Sequence, residues 1–243
     1  MTLRRNGRFW VISLAAVLGV SVGIALGTWQ LARAAQKNAL HSAMAAHKAL
    51  PVLDGRALAG VTDAAGVRWR PVLLQGRWLA GQTVFLDNRQ MQGKVGFDVL
   101  TPLQIDGSDV AVVVQRGWVQ RNFLDRTRLP AIETPAGAVQ LRGLIVPPPA
   151  RLYAFAGAET GVIRQNLDLA ELRARSGLPV LTSLSVQQTG PASEGLLRDW
   201  TEPGSGVERN YGYAFQWFAL ALLIAILYVW FQFIVPRSKS SRA

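Results

Sequence analysis

The sequence predicts a membrane protein in which two transmembrane α-helices flank a β-rich (α+β) domain, with an antiparallel barrel- or sandwich-like sheet. Two observations predict this fold class. The chain of 243 residues carries one long uncharged apolar run near each end, and short apolar segments separated by turn signals lie between them. The chain has no cysteine, which excludes disulfide frameworks, thiolate metal sites and covalent c-type haem attachment.

The two apolar runs are long enough to cross a bilayer. Residues 9–32 form 24 consecutive uncharged positions and residues 210–236 form 27, whereas a helix of about 20 residues spans the hydrocarbon core. The first run is longer than the apolar core of a signal peptide, which favours an anchor over a cleaved leader. We therefore expect transmembrane helices over 9–31 and 210–235.

Charges beside the two runs predict their orientation. Each flank carries three basic residues and no acid: Arg4, Arg5 and Arg8 at one end, Arg237, Lys239 and Arg242 at the other. Short basic flanks stay in the cytoplasm, so we expect cytoplasmic tails over 1–8 and 236–243 and a periplasmic domain over 32–209. The net charge of +11 is then partly a topology signal. Because no basic stretch is interleaved with aromatic residues, we expect no nucleic-acid partner.

Small residues recur along the first predicted transmembrane helix. Ala15, Gly19, Gly23 and Gly27 are each four positions apart, and Ala221 and Ala225 repeat the spacing in the second helix. Such a stripe lets another helix approach closely. Its partner is either the second helix or another protein.

The middle of the chain is predicted to form one β-rich domain. An alanine-rich helix is expected over 30–48, ended by Pro51. Predicted strands cover 70–79, 83–86, 96–103, 110–119, 139–146 and 180–187, with a tight turn at 80–81 and a hairpin turn at Asp106-Gly107. Asp168 is expected to cap a helix over 168–176 that Gly177 ends. Residues 188–208 are expected to form a connector.

The sequence predicts that the protein is not an enzyme, because it has no phosphate-binding loop, zinc-protease motif or nucleophile motif. The two histidines, His41 and His47, are either ordinary surface residues or a single haem or metal ligand. Arg89 and Arg116 end strands in apolar surroundings. Each suits a carboxylate or propionate ligand, or a structural ion pair with Asp87 or Asp125.

Several motifs, in order along nearly the whole chain, resemble the Surfeit locus protein 1 family. Gly27, Trp29, Gln30, Arg33 and Lys37 match its beginning. The rest of the resemblance rests on Arg70-Pro71-Val72, Gly76, Leu86-Asp87-Asn88-Arg89, Gly93, Gly96-Phe97, Thr101-Pro102-Leu103, Val114 to Val119, Gln165 to Asp168, Tyr213-Ala214 and Trp217.

The resemblance implies an assembly factor for haem-copper cytochrome c oxidase that assists insertion of haem a into the catalytic subunit, with haem a synthase as a second partner. Haem contacts are then expected from Trp29, Tyr213, Trp217 and Arg116. Asn210 stands where the family usually has a histidine, so an iron ligand would come from His41 or His47, or be lost. The alternative is a membrane-tethered scaffold that does not bind haem.

Overall fold

A computed structural model describes residues 7–125, 127–152, 161–201 and 206–235. These residues fall into two compact units, one formed by residues 7–42 with 206–235 and the other by the described residues between 43 and 201. Most of both predicted cytoplasmic tails, residues 1–6 and 236–243, lies outside the described residues. The predicted membrane boundaries and the sides of the membrane stay predictions.

Two long helices, α1 (Gly7–Lys48) and α5 (Val207–Val229), supply the apolar runs, and α5 continues as one π-helical turn, Trp230–Ile234. By length and composition both could cross a membrane, and their most apolar stretches are almost entirely exposed. The sequence predicted two successive helices over 9–31 and 30–48, whereas the structure has one uninterrupted helix. No glycine or proline falls between Thr28 and Lys48 to break it.

The small-residue stripe of α1 packs against α5. A Cβ atom at Gly23 would lie 2.9 Å from the Cβ of Ala221, and one at Gly27 would lie 2.6 Å from the ring of Phe218. A Cβ at Gly19 would meet Ile224 at 3.2 Å. The partner that the sequence left open is therefore the second helix, and only glycine permits this approach at Gly23 and Gly27.

The second unit is built on one sheet of eight strands. Their bounds are β1 (Leu53–Asp54), β2 (Pro71–Trp78), β3 (Val84–Met91), β4 (Lys94–Ile105), β5 (Ala111–Gln120), β6 (Ala138–Val146), β7 (Ile163–Arg164) and β8 (Ser185–Gln188). The spatial order is β1-β2-β6-β8-β5-β4-β3-β7, and β2 also pairs with β4. This extra pairing closes β2, β6, β8, β5 and β4 into a five-stranded barrel. Of the two architectures that the sequence left open, the structure therefore has the barrel and not the sandwich.

Local sequence explains the turns and the closure of the barrel. Asp106-Gly107 joins β4 to β5 as predicted, with Gly107 at a φ of +74°. At the seam between β2 and β4, a Cβ atom on Gly76 would clash with the carbonyl oxygen of Gln104. Glycine at this position lets the two backbones come close enough to pair.

Three apolar clusters fill the second unit, one of them around Phe97 and Leu196. One joins the barrel strands through Leu74, Ile105, Val114 and Val186, all almost fully buried. Another lies beneath the helix α4 (Leu169–Ser176), where Leu172 is buried. Asp168 caps α4 by accepting hydrogen bonds from the amides of Ala170 and Glu171, and Gly177 ends it in the left-handed conformation, as predicted.

Several predicted elements differ from the structure. The strand expected over 180–187 is confined to β8, and Val180 makes only an isolated bridge to Ala111. The turn at 80–81 is a 3-10 helix, Ala80–Gln82. Sequence reasoning missed β1, β7 and two short helices, α2 (Gly55–Ala59) and α3 (Ala64–Val67). Elements of two to five residues are too short to show a hydrophobic period.

Replacing Gly23 by leucine is expected to weaken the pairing of α1 with α5, because a side chain there meets Ala221 and the carbonyl oxygen of Trp217. Overpacking of this kind costs about 1–3 kcal/mol. We expect Gly23→Leu to lower the thermal unfolding temperature of the detergent-solubilised protein by several degrees. The matched variant Ala25→Leu, at an exposed position of the same helix, should leave that temperature unchanged. Equal thermal unfolding temperatures for Gly23→Leu and Ala25→Leu would contradict the close packing of α1 against α5.

Candidate functional site

The helical unit contains a cleft of about 380 Å³. It lies between α1 and the start of α5. Its walls combine cationic, amide and aromatic side chains with one glycine. The lining residues are Trp29, Gln30, Arg33, Lys37, Gly206, Arg209, Asn210 and Tyr213.

Helical spacing brings these side chains to one place. Trp29, Arg33 and Lys37 are successive members of a four-residue series on α1, and Arg209 and Tyr213 are four apart on α5. Residues four apart lie one above the other on the same helix face. Helix α1 therefore presents one aromatic ring and two basic side chains to the cleft, and α5 presents one aromatic ring and one basic side chain.

Asn210, one of the lining residues, links the two helices. Its amide nitrogen donates a hydrogen bond to the side-chain oxygen of Gln30 at 2.7 Å. Its amide oxygen accepts one from the ammonium group of Lys37 at 2.8 Å. Lys37 also reaches the carbonyl oxygen of Gly206 at 3.4 Å. Both ends of the Asn210 amide are thus engaged within the protein.

The cleft carries positive charge without a described counter-ion. In the described ranges, no carboxylate lies within ion-pair distance of Arg33, Lys37 or Arg209. The rings of Trp29 and Tyr213 are 54% and 52% exposed. Cationic donors bind carboxylates and phosphates strongly, and aromatic rings pack on flat apolar groups. The arrangement suits an anionic group attached to an apolar body.

The structure brings together some of the predicted site residues. Trp29 and Tyr213 line the cleft, but Trp217 does not, and its carbonyl oxygen instead faces Gly23. His41 follows Lys37 by one helical turn. His47 belongs to the other unit, where its Nδ1 is 2.7 Å from the carbonyl oxygen of Arg68. The part of the chain that the structure describes holds no cluster of three metal-ligating side chains.

Arg116 is fully buried in the barrel unit, where its guanidinium binds neighbouring side chains. Its guanidinium donates to the Thr134 hydroxyl at 2.7 Å and to the Glu194 carboxylate at 2.9 Å, and it lies 4.7 Å from the centre of the Trp78 ring. The structural ion pair considered from the sequence is present, but the proposed partners Asp87 and Asp125 were wrong. These contacts leave Arg116 no exposed surface to offer a ligand.

Arg89 is likewise paired inside the barrel unit. Its Nε lies 3.9 Å from a carboxylate oxygen of Asp98, and its Nη2 donates to the carbonyl oxygens of Ala150 and Gln165. Burial raises the pKa of Asp98 to about 6, and the nearby Arg89 charge opposes this rise. Burial lowers the pKa of Arg89 as well, against the attraction of Asp98. Desolvation therefore outweighs the attraction between the pair.

Sequence reasoning did not select Gln30, Arg33, Lys37 and Arg209 as site residues, although it found three of them in the family motif. Their four-residue spacing from Trp29 and Tyr213 was a usable signal, because it places basic and aromatic side chains on one helix face. The convergence of the two faces depends on how the helices pack.

The fold defines a β-barrel protein with two long apolar helices, and the helical unit contains a cleft lined by cationic, amide and aromatic side chains. A model of the SURF1 family matches residues 17–222. A SURF1-like protein of Rickettsia bellii (strain RML369-C) is 26% identical over 235 residues, which cover 94% of this chain and 92% of the relative. A SURF1-like protein of Drosophila melanogaster is 25% identical over 228 residues, covering 87% and 74%.

The chain belongs to the SURF1 family. Members of this family are known generally as cytochrome oxidase assembly factors, and the family is not a known class of enzymes. The resemblance found from the sequence motifs is confirmed.

The partly buried Asp98 is expected to make the stability of the barrel unit depend on pH. Its folded pKa of about 6 exceeds the ordinary 3.8, so the folded state binds this proton more tightly than the unfolded state. The stabilisation is complete below pH ~4 and is lost as the pH rises through about 6. Relative to Asp98→Asn, the free energy of unfolding of the unaltered protein should fall by about 2–3 kcal/mol between pH 4 and 6.5.

Denaturant unfolding at a series of pH values, followed by tryptophan fluorescence, measures this difference. The variant Asp109→Asn removes an exposed carboxylate from the turn before β5 and should give the profile of the unaltered protein. Parallel profiles for Asp98→Asn and the unaltered protein would contradict the effect assigned to Asp98.

Proposed function

We propose that this chain assists the assembly of haem-copper cytochrome c oxidase by holding haem a for insertion into the catalytic subunit. The observation that carries the proposal is the cleft, where three cations lie beside two aromatic rings between two apolar helices. Haem a, received from haem a synthase, is the cargo. Its transfer through water is costly because most of its surface is apolar.

The proposed location is the cytoplasmic membrane, with both termini in the cytoplasm and the barrel in the periplasm. Three basic residues in each short flank support this orientation. The exposed apolar surfaces of α1 and α5 suit a lipid environment. The cleft would then lie at the outer surface of the membrane, where Trp29 and Tyr213 occupy the interfacial zone that aromatic residues favour.

The residues of the cleft fit the carboxylate edge of a haem. Arg33, Lys37 and Arg209 would bind the two propionates, and Trp29 and Tyr213 would pack against the macrocycle. A volume of about 380 Å³ is near the lower end of the range for small-molecule sites. The apolar remainder of the haem would lie outside the cleft, against the lipid-facing helix surfaces.

Asn210 does not fit an axial ligand role. Its amide is engaged by Gln30 and Lys37, and asparagine is not among the usual haem ligands. The proposal therefore needs no bond between the iron and Asn210. His41, one turn beyond Lys37, is the imidazole of the helical unit and the first candidate for ligation.

The second candidate function is a membrane-tethered scaffold that grips an oxidase intermediate and does not bind haem. The engaged Asn210 amide favours it, because that side chain serves to hold the helices together. In this version the cationic cleft would bind acidic groups of a partner protein.

Removing two of the cleft charges is expected to lower haem binding. Arg33 and Arg209 are exposed, so Arg33→Gln with Arg209→Gln should leave the fold intact. Each charge-assisted contact contributes about 1.5–3 kcal/mol. We expect at least about a tenfold decrease in haem a co-purified with the full chain from cells that make haem a synthase, measured by absorption.

The control variant is Arg173→Gln, which removes an exposed arginine from α4 in the barrel unit and should retain normal haem content. Absence of haem a from the purified unaltered protein, together with loss of oxidase assembly in a deletion strain, would favour the scaffold. Normal oxidase haem content in that deletion strain would overturn both versions.

A further inference from the structure

The cleft of the helical unit lies where both apolar runs end. Arg33 is the first charged residue after the uncharged positions 9–32, and Arg209 directly precedes the uncharged run 210–236. Both arginines line the cleft, and the two helices that carry them pack against each other within one unit. For helices that cross a bilayer, the end of the apolar run lies at the level of the lipid headgroups. The depth of the cleft in a membrane therefore follows from the helical unit alone.

Cationic and aromatic side chains follow the same order along both helices. On α1, Trp29 lies four residues, or about 6 Å, on the apolar side of Arg33. On α5, Tyr213 lies the same distance on the apolar side of Arg209. The cleft thus places positive charge at the headgroup level and aromatic rings next to the acyl chains. A phospholipid has the matching order, with its phosphate outward and its apolar body inward.

Positive charge exceeds negative charge at this end of the helical unit. Arg33, Lys37 and Arg209 line the cleft. Glu208 is the one acid in the described part of the helical unit, and it is exposed and does not line the cleft. Three cations against one acid leave a net charge of +2 at this end. Basic pockets between transmembrane helices are typical sites for anionic lipid headgroups.

The start of α5 and the size of the cleft suit a phosphate group. The lining includes Gly206, the N-cap residue of α5, which has no side chain to cap the first helical turn. Amide groups at the start of a helix bind phosphate oxygens. A volume of about 380 Å³ holds a headgroup, while the acyl chains would lie in the hydrocarbon against the exposed apolar surfaces of α1 and α5.

We infer that the cleft binds the phosphate group of an anionic phospholipid while no haem occupies it. Arg33 and Arg209 would contact the phosphate oxygens, and Lys37, held by Asn210 and Gly206, would add its charge. The net positive charge favours phosphatidylglycerol over phosphatidylethanolamine, whose ammonium group would lie among cations. This inference rests on the membrane location of the proposed function. Lipid phosphate and haem propionates would compete for the same cations.

Native mass spectrometry of the full chain tests the lipid binding. The protein is made in cells without haem a synthase and is exchanged, in detergent, into an equal mixture of phosphatidylglycerol and phosphatidylethanolamine with the same acyl chains. We expect the complex with one phosphatidylglycerol to exceed the complex with one phosphatidylethanolamine by about tenfold, because two arginines contact the anionic headgroup.

Two matched variants locate the binding site on α1. Arg33→Gln and Arg8→Gln each remove one exposed arginine, at positions about 37 Å apart along the helix. We expect Arg33→Gln to lower the preference for phosphatidylglycerol about fivefold and Arg8→Gln to leave it unchanged. Both variants should keep the thermal unfolding temperature of the unaltered protein, since neither side chain is buried.

Equal binding of the two phospholipids by the unaltered protein would overturn the inference. Equal effects of Arg33→Gln and Arg8→Gln would also overturn it, because they would indicate a general attraction of lipid to basic residues. The complex should survive transfer into phosphate buffer, and its loss there would make free phosphate the ligand.

The haem content of protein made with haem a synthase separates this inference from the proposed function. Lipid preference without bound haem a would support the inference and overturn the haem carrier. Bound haem a without the lipid preference would support the carrier and overturn the inference.

Discussion

The close approach of α1 and α5 is the contact on which the candidate site depends. Gly23 faces Ala221 with no room for a larger side chain, and Gly27 faces the ring of Phe218. Further along, Lys37, Gln30 and Asn210 continue the contact through hydrogen bonds. Small residues thus set the distance in the apolar stretch, and polar residues hold the helices together where the cleft opens. The basic and aromatic faces meet only because both contacts form.

The barrel unit has its own electrostatic constraint, which is the burial of arginine. Arg116 has no solvent exposure, and Arg164 is 4% exposed and paired with Glu171 at 3.1 Å. A buried guanidinium destabilises a fold unless carboxylates and carbonyl oxygens satisfy its donors. The two terminal nitrogens of Arg116 donate to the Glu194 carboxylate, the Thr134 hydroxyl and the Glu133 carbonyl oxygen, whereas its Nε has no partner among the described residues. The positive charges considered for ligand binding are those of the helical unit, which have no carboxylate partner among the described residues.

The parts of the fold that the sequence predicted are those set by neighbouring residues. The apolar runs, the Asp106-Gly107 hairpin and the capped helix α4 depend on residues a few positions apart. One misassigned feature, the ion pair of Arg116, depends on distant residues. The partner of Arg116 is Glu194, in the segment expected to be a connector, and no local pattern indicates that pairing. For the cleft, the sequence predicted two of the aromatic lining residues, Trp29 and Tyr213. It did not predict the basic lining residues, because the meeting of the two helix faces depends on how the helices pack.

The strand order of the barrel sets the sequence in which it can be completed. β8 lies between β5 and β6, pairing with both, yet it is the last of the described strands along the chain. Until residue 188 has been synthesised, the facing edges of β5 and β6 have no partner. Unpaired strand edges are prone to association with other chains. A chain truncated before β8 therefore leaves the barrel open, with two long strand edges free to associate with other chains.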